Sequence, residues 1–294
     1  MLQIGPRRLE QFRSWLSGNV AAAQVSAADI VPDRIVRPAQ QPTNTPLQRL
    51  AALEALWGVA CPITGGAPEL VRLASPLGLS GLHSVLLVGG GGLGPAEILA
   101  GHYGAWVAGH ECSSALHALA SRRAVKATGL SLRASVETWD PAAPVFRAGF
   151  YHRALLWETL AQADPAALCD AVAGALRPDG QVIWMEMVAG RRADDELLAR
   201  WRRVEGREAD LPEEAQLVGA LRGAGFDIRV VEDMSSRQEK LSIAAWRSLL
   251  HRLGQSRPAP ALAAAVVAEA ERWLLRLRLQ HQGRLRLVRI YAIR

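Results

Sequence analysis

From residue 84 onward, short apolar runs alternate with segments whose apolar residues recur at helical spacing. Runs at 84–88 (SVLLV), 105–109, 130–136, 150–157, 181–188 (QVIWMEMV), 226–231 and 284–293 (RLRLVRIYAI) predict seven strands. Helices are predicted at 95–100, 113–124, 165–176, 213–224, 241–253 and 261–277. Uninterrupted apolar strands separated by helices mean βαβ crossovers, because only strands covered on both faces dispense with a polar side. The expected fold is therefore α/β, with a doubly wound, mostly parallel seven-stranded sheet of Rossmann-like form.

The first eighty residues follow a different pattern. Residues 7–24 read as an amphipathic helix with Leu9, Phe12, Trp15 and Leu16 on one side. A connector containing Pro32, Pro38 and Pro42 follows. Thr45 and Pro46 then open a second helix, as N-cap and first helical residue, and Gly58 closes it. Residues 1–80 are expected to form an N-terminal helical cap and residues 81–294 the sheet domain. There is no internal repeat and no low-complexity tail.

Half of the 294 residues are hydrophobic and 21% are charged, enough for a sizeable core. No charge-free apolar stretch reaches the roughly 18 residues a membrane span needs. The opening residues lead into a charged amphipathic segment, not an apolar signal core, and Cys61, Cys112 and Cys169 lie far apart without CxxC spacing. A cytoplasmic location without disulfides or structural zinc is the expectation. No HxxxH or carboxylate cluster suggests a metal.

The net charge of +6 is carried almost wholly by arginine, since Lys126 and Lys240 are the only lysines. It reads as a solvated arginine-rich surface in preference to a nucleic-acid site. Arg272, Arg276, Arg278, Arg284, Arg286, Arg289 and Arg294 follow one another with no acid interleaved after Glu271. The arginines of the last strand suggest an edge strand protected against aggregation. The sharper alternative is an anionic substrate, an acidic partner subunit or a homo-oligomer contact.

The chemistry-bearing feature is the glycine run between the first strand and its helix. Gly90, Gly92 and Gly94 give GxGxG, while Gly89, Gly91 and Gly94 give GxGxxG. A ligand can approach backbone only where no Cβ intervenes, and the adjoining helix N-terminus favours negative charge. An exposed hinge is the bland alternative. Glu111, seventeen positions after Gly94 and just past the second strand, strengthens the ligand reading. A carboxylate there can accept hydrogen bonds from both hydroxyls of a ribose.

Further segments extend the pattern in a fixed order. Trp157, Glu158, Thr159 and Leu160 precede Asp164 and Pro165; Leu176, Arg177, Pro178, Asp179 and Gly180 lead into the fifth strand; Gly223, Ala224, Gly225 and Phe226 precede the sixth. Together with the glycine loop and Glu111, these resemble the class I S-adenosylmethionine-dependent methyltransferases over residues 80–294. The resemblance implies S-adenosylmethionine as cofactor and methyl transfer to a small organic molecule. It implies that Gly90, Gly92, Gly94 and Glu111 hold the cofactor, with Asp140 nearest the adenine amino group; Trp139 and Trp157 either flank the adenine or sulfonium or pack in the aromatic core. The acceptor pocket would come from the N-terminal helices and residues 190–215.

Leu87 and Val88 stand where the family usually has an acid at the end of strand one, and Phe150–Tyr151 where it has Phe-Asp. The alternatives are a degenerate member serving as a non-catalytic binding or assembly subunit and, through GxGxxG, an NAD-type Rossmann enzyme. Methyl transfer from a sulfonium needs alignment and, for some acceptors, a base. Glu158, just beyond strand four, is the candidate for holding the acceptor or taking its proton. His152 is the second candidate base, although a histidine inside an apolar strand also reads as a core or edge residue.

Overall fold

In a computed structural model the described residues are 45–91, 93–126, 133–190, 196–207 and 210–294. The expected helix at 7–24, the start of the expected strand at 130–136 and Gly92 lie outside them.

Helix α1 (Pro46–Trp57) begins as the sequence requires. The Thr45 hydroxyl accepts the Gln48 amide hydrogen while Gln48 returns the bond to the Thr45 N–H at 2.9 Å, with proline at the first helical position. Helix α2 (Gly66–Ala74) follows, then a 3₁₀ turn (Ser75–Leu77). The alternating part then runs β1 (Ser84–Gly89), α3 (Leu93–Tyr103), β2 (Trp106–Glu111), α4 (Ser114–Lys126), β3 (Ala134–Thr138), β4 (Tyr151–Trp157), α5 (Pro165–Ala175) and β5 (Leu176–Ala189). It continues with α6 (Glu196–Glu205), α7 (Glu214–Gly223), β6 (Asp227–Asp233), α8 (Ser235–Gln255), α9 (Pro260–His281) and β7 (Leu285–Ile293).

The seven strands form one sheet in the order β3-β2-β1-β4-β5-β7-β6. β1 is parallel to β2 and β4, and only β7 runs antiparallel to its neighbours β5 and β6. The pleat of β1 divides its apolar run between two cores. Val85 and Leu87 join a cluster with Leu70, Leu93, Leu99 and Trp157, whereas Leu86 and Val88 join one with Leu168, Val172, Trp184 and Leu217 on the other face. A third cluster, built from Leu56 and Trp57 of α1, Trp246 and Leu249 of α8, and Val266 and Trp273 of α9, binds the cap to the long C-terminal helices.

One expectation is corrected. β7 is not an edge strand, since it lies between β5 and β6. Its arginines are neutralised within the chain, Arg286 by Glu214 at 2.8 Å and Arg289 by Glu232 at 2.7 Å. Arg286 and Arg289 lie on opposite faces of β7, and each is admitted to the sheet interior because an acid meets it, from α7 on one face and from β6 beside the other.

Candidate functional site

β1 has β2 on one side and β4 on the other, so successive crossovers leave it in opposite directions. At such a switch point the chain leaves a crevice outside the carboxyl ends of the strands. Gly89, Gly90 and Gly91 stand at this end of β1 with φ of 81°, 79° and 86°, a left-handed run that residues with a Cβ rarely adopt. Gly94 lies in the first turn of α3.

Val88 pairs with His110, which brings Glu111 alongside Gly89 in the next step of the register. Glu111 is the last residue of β2 and is only 5% exposed. Its Oε1 accepts the Ser113 amide hydrogen at 2.9 Å, which fixes the carboxylate at the start of α4. Burial raises the pKa of this carboxyl, against the opposing pull of the Ser113 and Cys112 hydrogen bonds. The glycine loop and Glu111 are therefore brought together, as the sequence implies.

Residues 60–63 pack against the glycines on the side where their Cβ atoms would stand. A Cβ at Gly94 would overlap the Ala60 carbonyl and one at Gly91 would overlap Pro62, while one at Gly90 would stand 3.2 Å from Ile63 Cδ1. The absence of side chains at these glycines thus admits residues 60–63, the stretch joining α1 to α2.

The remaining predicted residues separate into groups. Trp157 ends β4, is 8% exposed and packs beside Gly90 in the core. Trp139 follows β3 and is equally buried; its ring lies 6.1 Å from Phe146, and its indole N–H has no hydrogen-bond partner among the described residues. Asp140 is exposed and accepts the Ala142 amide hydrogen at 2.9 Å in a turn of its own. His152 is at the opposite end of the sheet, near the start of β1. Its Nδ1 accepts the Ser84 amide hydrogen at 3.1 Å and Nε2 faces Arg177 at 3.0 Å. Burial first, then Arg177, lower its pKa. Five residues of strand, about 16 Å, separate it from the glycine loop.

Glu158 stands at the carboxyl edge, in a left-handed conformation with φ 46° and ψ 48°, and its N–H donates to the Met185 carbonyl at 2.8 Å. Both carboxylate oxygens accept from Arg276 of α9 at 2.9 Å. Arg276 also donates to Glu205 at 2.9 Å, Glu205 accepts from Arg49 at 2.6 Å, and Glu269 joins through Arg49 and Arg272. Burial alone would raise the Glu205 carboxyl, but Arg49 and Arg276 bring it down to about 2. The three acids and three arginines clamp α1, α6 and α9 over the turn after β4.

Sequence reasoning singled out Glu158 but missed its partners, because Arg49, Glu205 and Glu269 looked like ordinary helix charges and Arg276 like one of a series of surface arginines. It also missed Glu186, although a lone acid within QVIWMEMV was a visible signal. Glu186 is fully buried; Oε2 accepts the Leu160 amide hydrogen at 2.9 Å and Oε1 meets Arg207 at 2.8 Å. It thereby fixes the 3₁₀ turn Thr159–Ala161 that carries Glu158 into place.

No protein-family model and no curated protein matches the chain. Solved structures do. A phosphoethanolamine N-methyltransferase 2 from Haemonchus contortus, in complex with phosphomonomethylethanolamine and S-adenosylhomocysteine, superposes with a TM-score of 0.72 at 19% identity, over 83% of this chain and 57% of that one. The chain thus spans little more than half the length of that protein. A sarcosine dimethylglycine methyltransferase from Galdieria sulphuraria matches with TM-score 0.63 and 12% identity over 77% of this chain and 84% of its own. The cyclase SpnF matches with TM-score 0.57 and 23% identity over 78% and 80%. The chain has the fold of the class I S-adenosylmethionine-dependent methyltransferases, with a mostly parallel seven-stranded sheet.

Proposed function

We propose that this protein binds S-adenosylmethionine at the carboxyl end of β1 and β2 and transfers its methyl group to a small organic molecule. The observation that carries the reading is the pairing of the left-handed Gly89–Gly91 run with the buried Glu111 carboxylate, one strand apart in register. Cofactor-carrying neighbours of the same fold support it.

The residues at the carboxyl end of β1 and β2 fit the cofactor. Gly90, Gly91 and Gly94 offer a surface without Cβ atoms, and the N-terminus of α3 favours the carboxylate of the amino-acid moiety. Glu111 would accept hydrogen bonds from the ribose hydroxyls, and the hydrogen bond it accepts from the Ser113 amide keeps it from swinging into water. The sulfonium supplies an electrophilic methyl group when bound. Trp157 excludes water beside the cradle. Glu158 stands at the correct edge, but with both oxygens held by Arg276 it serves to position the post-β4 turn. His152, at the far end of the sheet, takes no part.

Calorimetric titration with S-adenosylmethionine and S-adenosylhomocysteine tests the reading. Micromolar binding, lost in Glu111→Ala, supports it; no binding at millimolar ligand defeats it. The second reading, a non-catalytic binding or assembly subunit, draws on the engagement of Glu158 by Arg276. Ligand-binding protein without turnover on any methyl acceptor would favour that reading.

A further inference from the structure

We infer that the amino edge of the sheet carries a second binding site, built by His83, His152, Arg153 and Arg177, for a phosphate monoester or an equivalent small dianion. The site lies at the opposite end of the strands from the glycine loop and stands independently of the nucleoside reading.

The topology assembles it. β1, β4 and β5 are parallel neighbours, so the residues that open them share one edge. His83 precedes β1, His152 and Arg153 open β4, and Arg177 is the second residue of β5. Tyr151 pairs with Leu176 and Arg153 with Gln181, so the turn 177–180 loops out opposite the single residue His152. That excursion, with Asp179 at φ 61°, brings the Arg177 guanidinium to 3.0 Å from His152 Nε2. The His83 and His152 rings meet edge to face with centroids 5.6 Å apart. Arg153 is anchored beside them, Nε donating to the Leu77 carbonyl and Nη1 to the His152 carbonyl, both at 2.8 Å.

The cluster is positive and short of acceptors. Elsewhere the partly buried arginines Arg49, Arg123 and Arg276 each meet a glutamate. Here, among the described residues, no carboxylate pairs with any of the four groups; Arg153 donates to backbone carbonyls and Arg177 to an imidazole nitrogen. Asp179 shares the turn with Arg177 without pairing with it, and Arg294 of β7 reaches the same turn through its N–H, which donates to the Gly180 carbonyl at 2.8 Å. Burial first, then Arg153 beside His83 and Arg177 beside His152, hold both imidazoles below the usual 6.5. Ser80 and Ser84 engage the two Nδ1 atoms, at 2.9 and 2.8 Å, which leaves the Nε2 edges for a ligand. Two permanent positive charges match a dianion, and guanidinium forks match phosphate oxygens. Arg177 is exposed and the other three are half-buried, so the site is open to solvent.

Proton NMR titration of the histidine rings in the full chain tests the site. His83 and His152 are assigned from His83→Gln and His152→Gln, and the exposed His251 on α8 is the reference. Inorganic phosphate, compared with sodium chloride at equal ionic strength, is expected to raise the His83 and His152 midpoints by about 1, as an opposite charge at close range does, and to leave His251 unmoved. The rise should saturate with a Kd on the order of 1 mM, the strength of a few charge-assisted hydrogen bonds. Arg177→Gln should raise the His152 midpoint before phosphate is added, by removing a neighbouring charge, and weaken phosphate at least about tenfold.

Midpoints that move equally with sodium chloride, or a phosphate response unchanged in Arg177→Gln, overturn the site and leave the nucleoside reading untouched. A saturable response lost in Arg177→Gln upholds it, and a second arm then identifies the source of the phosphate. Leu82, next to His83, is 87% exposed and available to a lipid surface. Sedimentation with phosphatidylcholine vesicles only when they contain phosphatidic acid, weakened by Leu82→Ser, identifies a lipid headgroup; a phosphate response without sedimentation identifies a soluble monoester.

Discussion

Replacing Arg276 by methionine removes the hub of the clamp while roughly keeping its volume. Three hydrogen bonds are lost, two to Glu158 and one to Glu205, each 2.9 Å long. The Arg276 and Glu205 side chains are each 6% exposed, so Glu205 is left with Arg49 as its remaining cation. Breaking a buried pair from one side typically costs about 3–5 kcal/mol, because the surviving charge stays out of water. Glu158 is 19% exposed and recovers part of its hydration, which sets the expectation near the lower end, about 3 kcal/mol. That corresponds to a fall in Tm of about 6–12 °C for a chain of this size. Urea unfolding read through tryptophan fluorescence suits the test, since the Trp273 and Trp201 rings lie 5.0 and 5.9 Å from the guanidinium. Adding Glu205→Gln to Arg276→Met should return about 1–2 kcal/mol, as expected for sites that share a partner. A single variant within about 0.5 kcal/mol of the parent would refute the reasoning, for the network would then behave like an exposed ion pair.

Three further outcomes follow from the same geometry. Gly94→Ala places a methyl group against the Ala60 carbonyl, so it should displace residues 60–63 and cost about 1–3 kcal/mol in urea unfolding. His152→Ala should lower Tm through loss of the Ser84 contact and leave the Kd for S-adenosylhomocysteine within about twofold. His83, His110 and His152 are all depressed below the usual 6.5, in each case by burial first, with Arg153 beside His83 and Arg177 beside His152 adding to it. The folded chain therefore binds fewer protons than the unfolded one in this range. Their contribution is present above about pH 6.5 and is lost as pH falls below it. Glu111, raised by burial, acts in the opposite sense, with stability lost as pH rises past its unfolded value. The double variant His83→Gln/His152→Gln should accordingly show a shallower loss of stability below pH 6.5 than the parent, by the difference in urea midpoints.

The strands were legible because burial on both faces leaves a mark that survives in sequence. The run 84–88 appears as β1 (Ser84–Gly89), and the Leu-Arg-Pro-Asp-Gly segment ends α5 and enters β5. The place of Glu111 at the end of β2 was legible by spacing alone. Helix lengths were less so; α8 runs from Ser235 to Gln255, longer than the apolar spacing at 241–253 suggested, because its first turns carry Gln238, which is buried by polar contacts. Helices α2 and α6 were missed, one being nine residues long and the other rich in arginine. The arginines of β7 were misread as an edge signal because Glu214 and Glu232, which meet them, lie far away in sequence. The clamp and the seat of residues 60–63 on the glycines are tertiary facts. Nothing in the local sequence says which helix charge will meet Glu158, or that Pro62 will fill the space left by Gly91.

A crystal structure of the protein grown with S-adenosylhomocysteine tests the central proposition most directly. The expected map shows a nucleoside over Gly90 and Gly91, its ribose hydroxyls within hydrogen-bonding distance of the Glu111 carboxylate. A map with no ligand at Glu111 despite saturating concentration would contradict it.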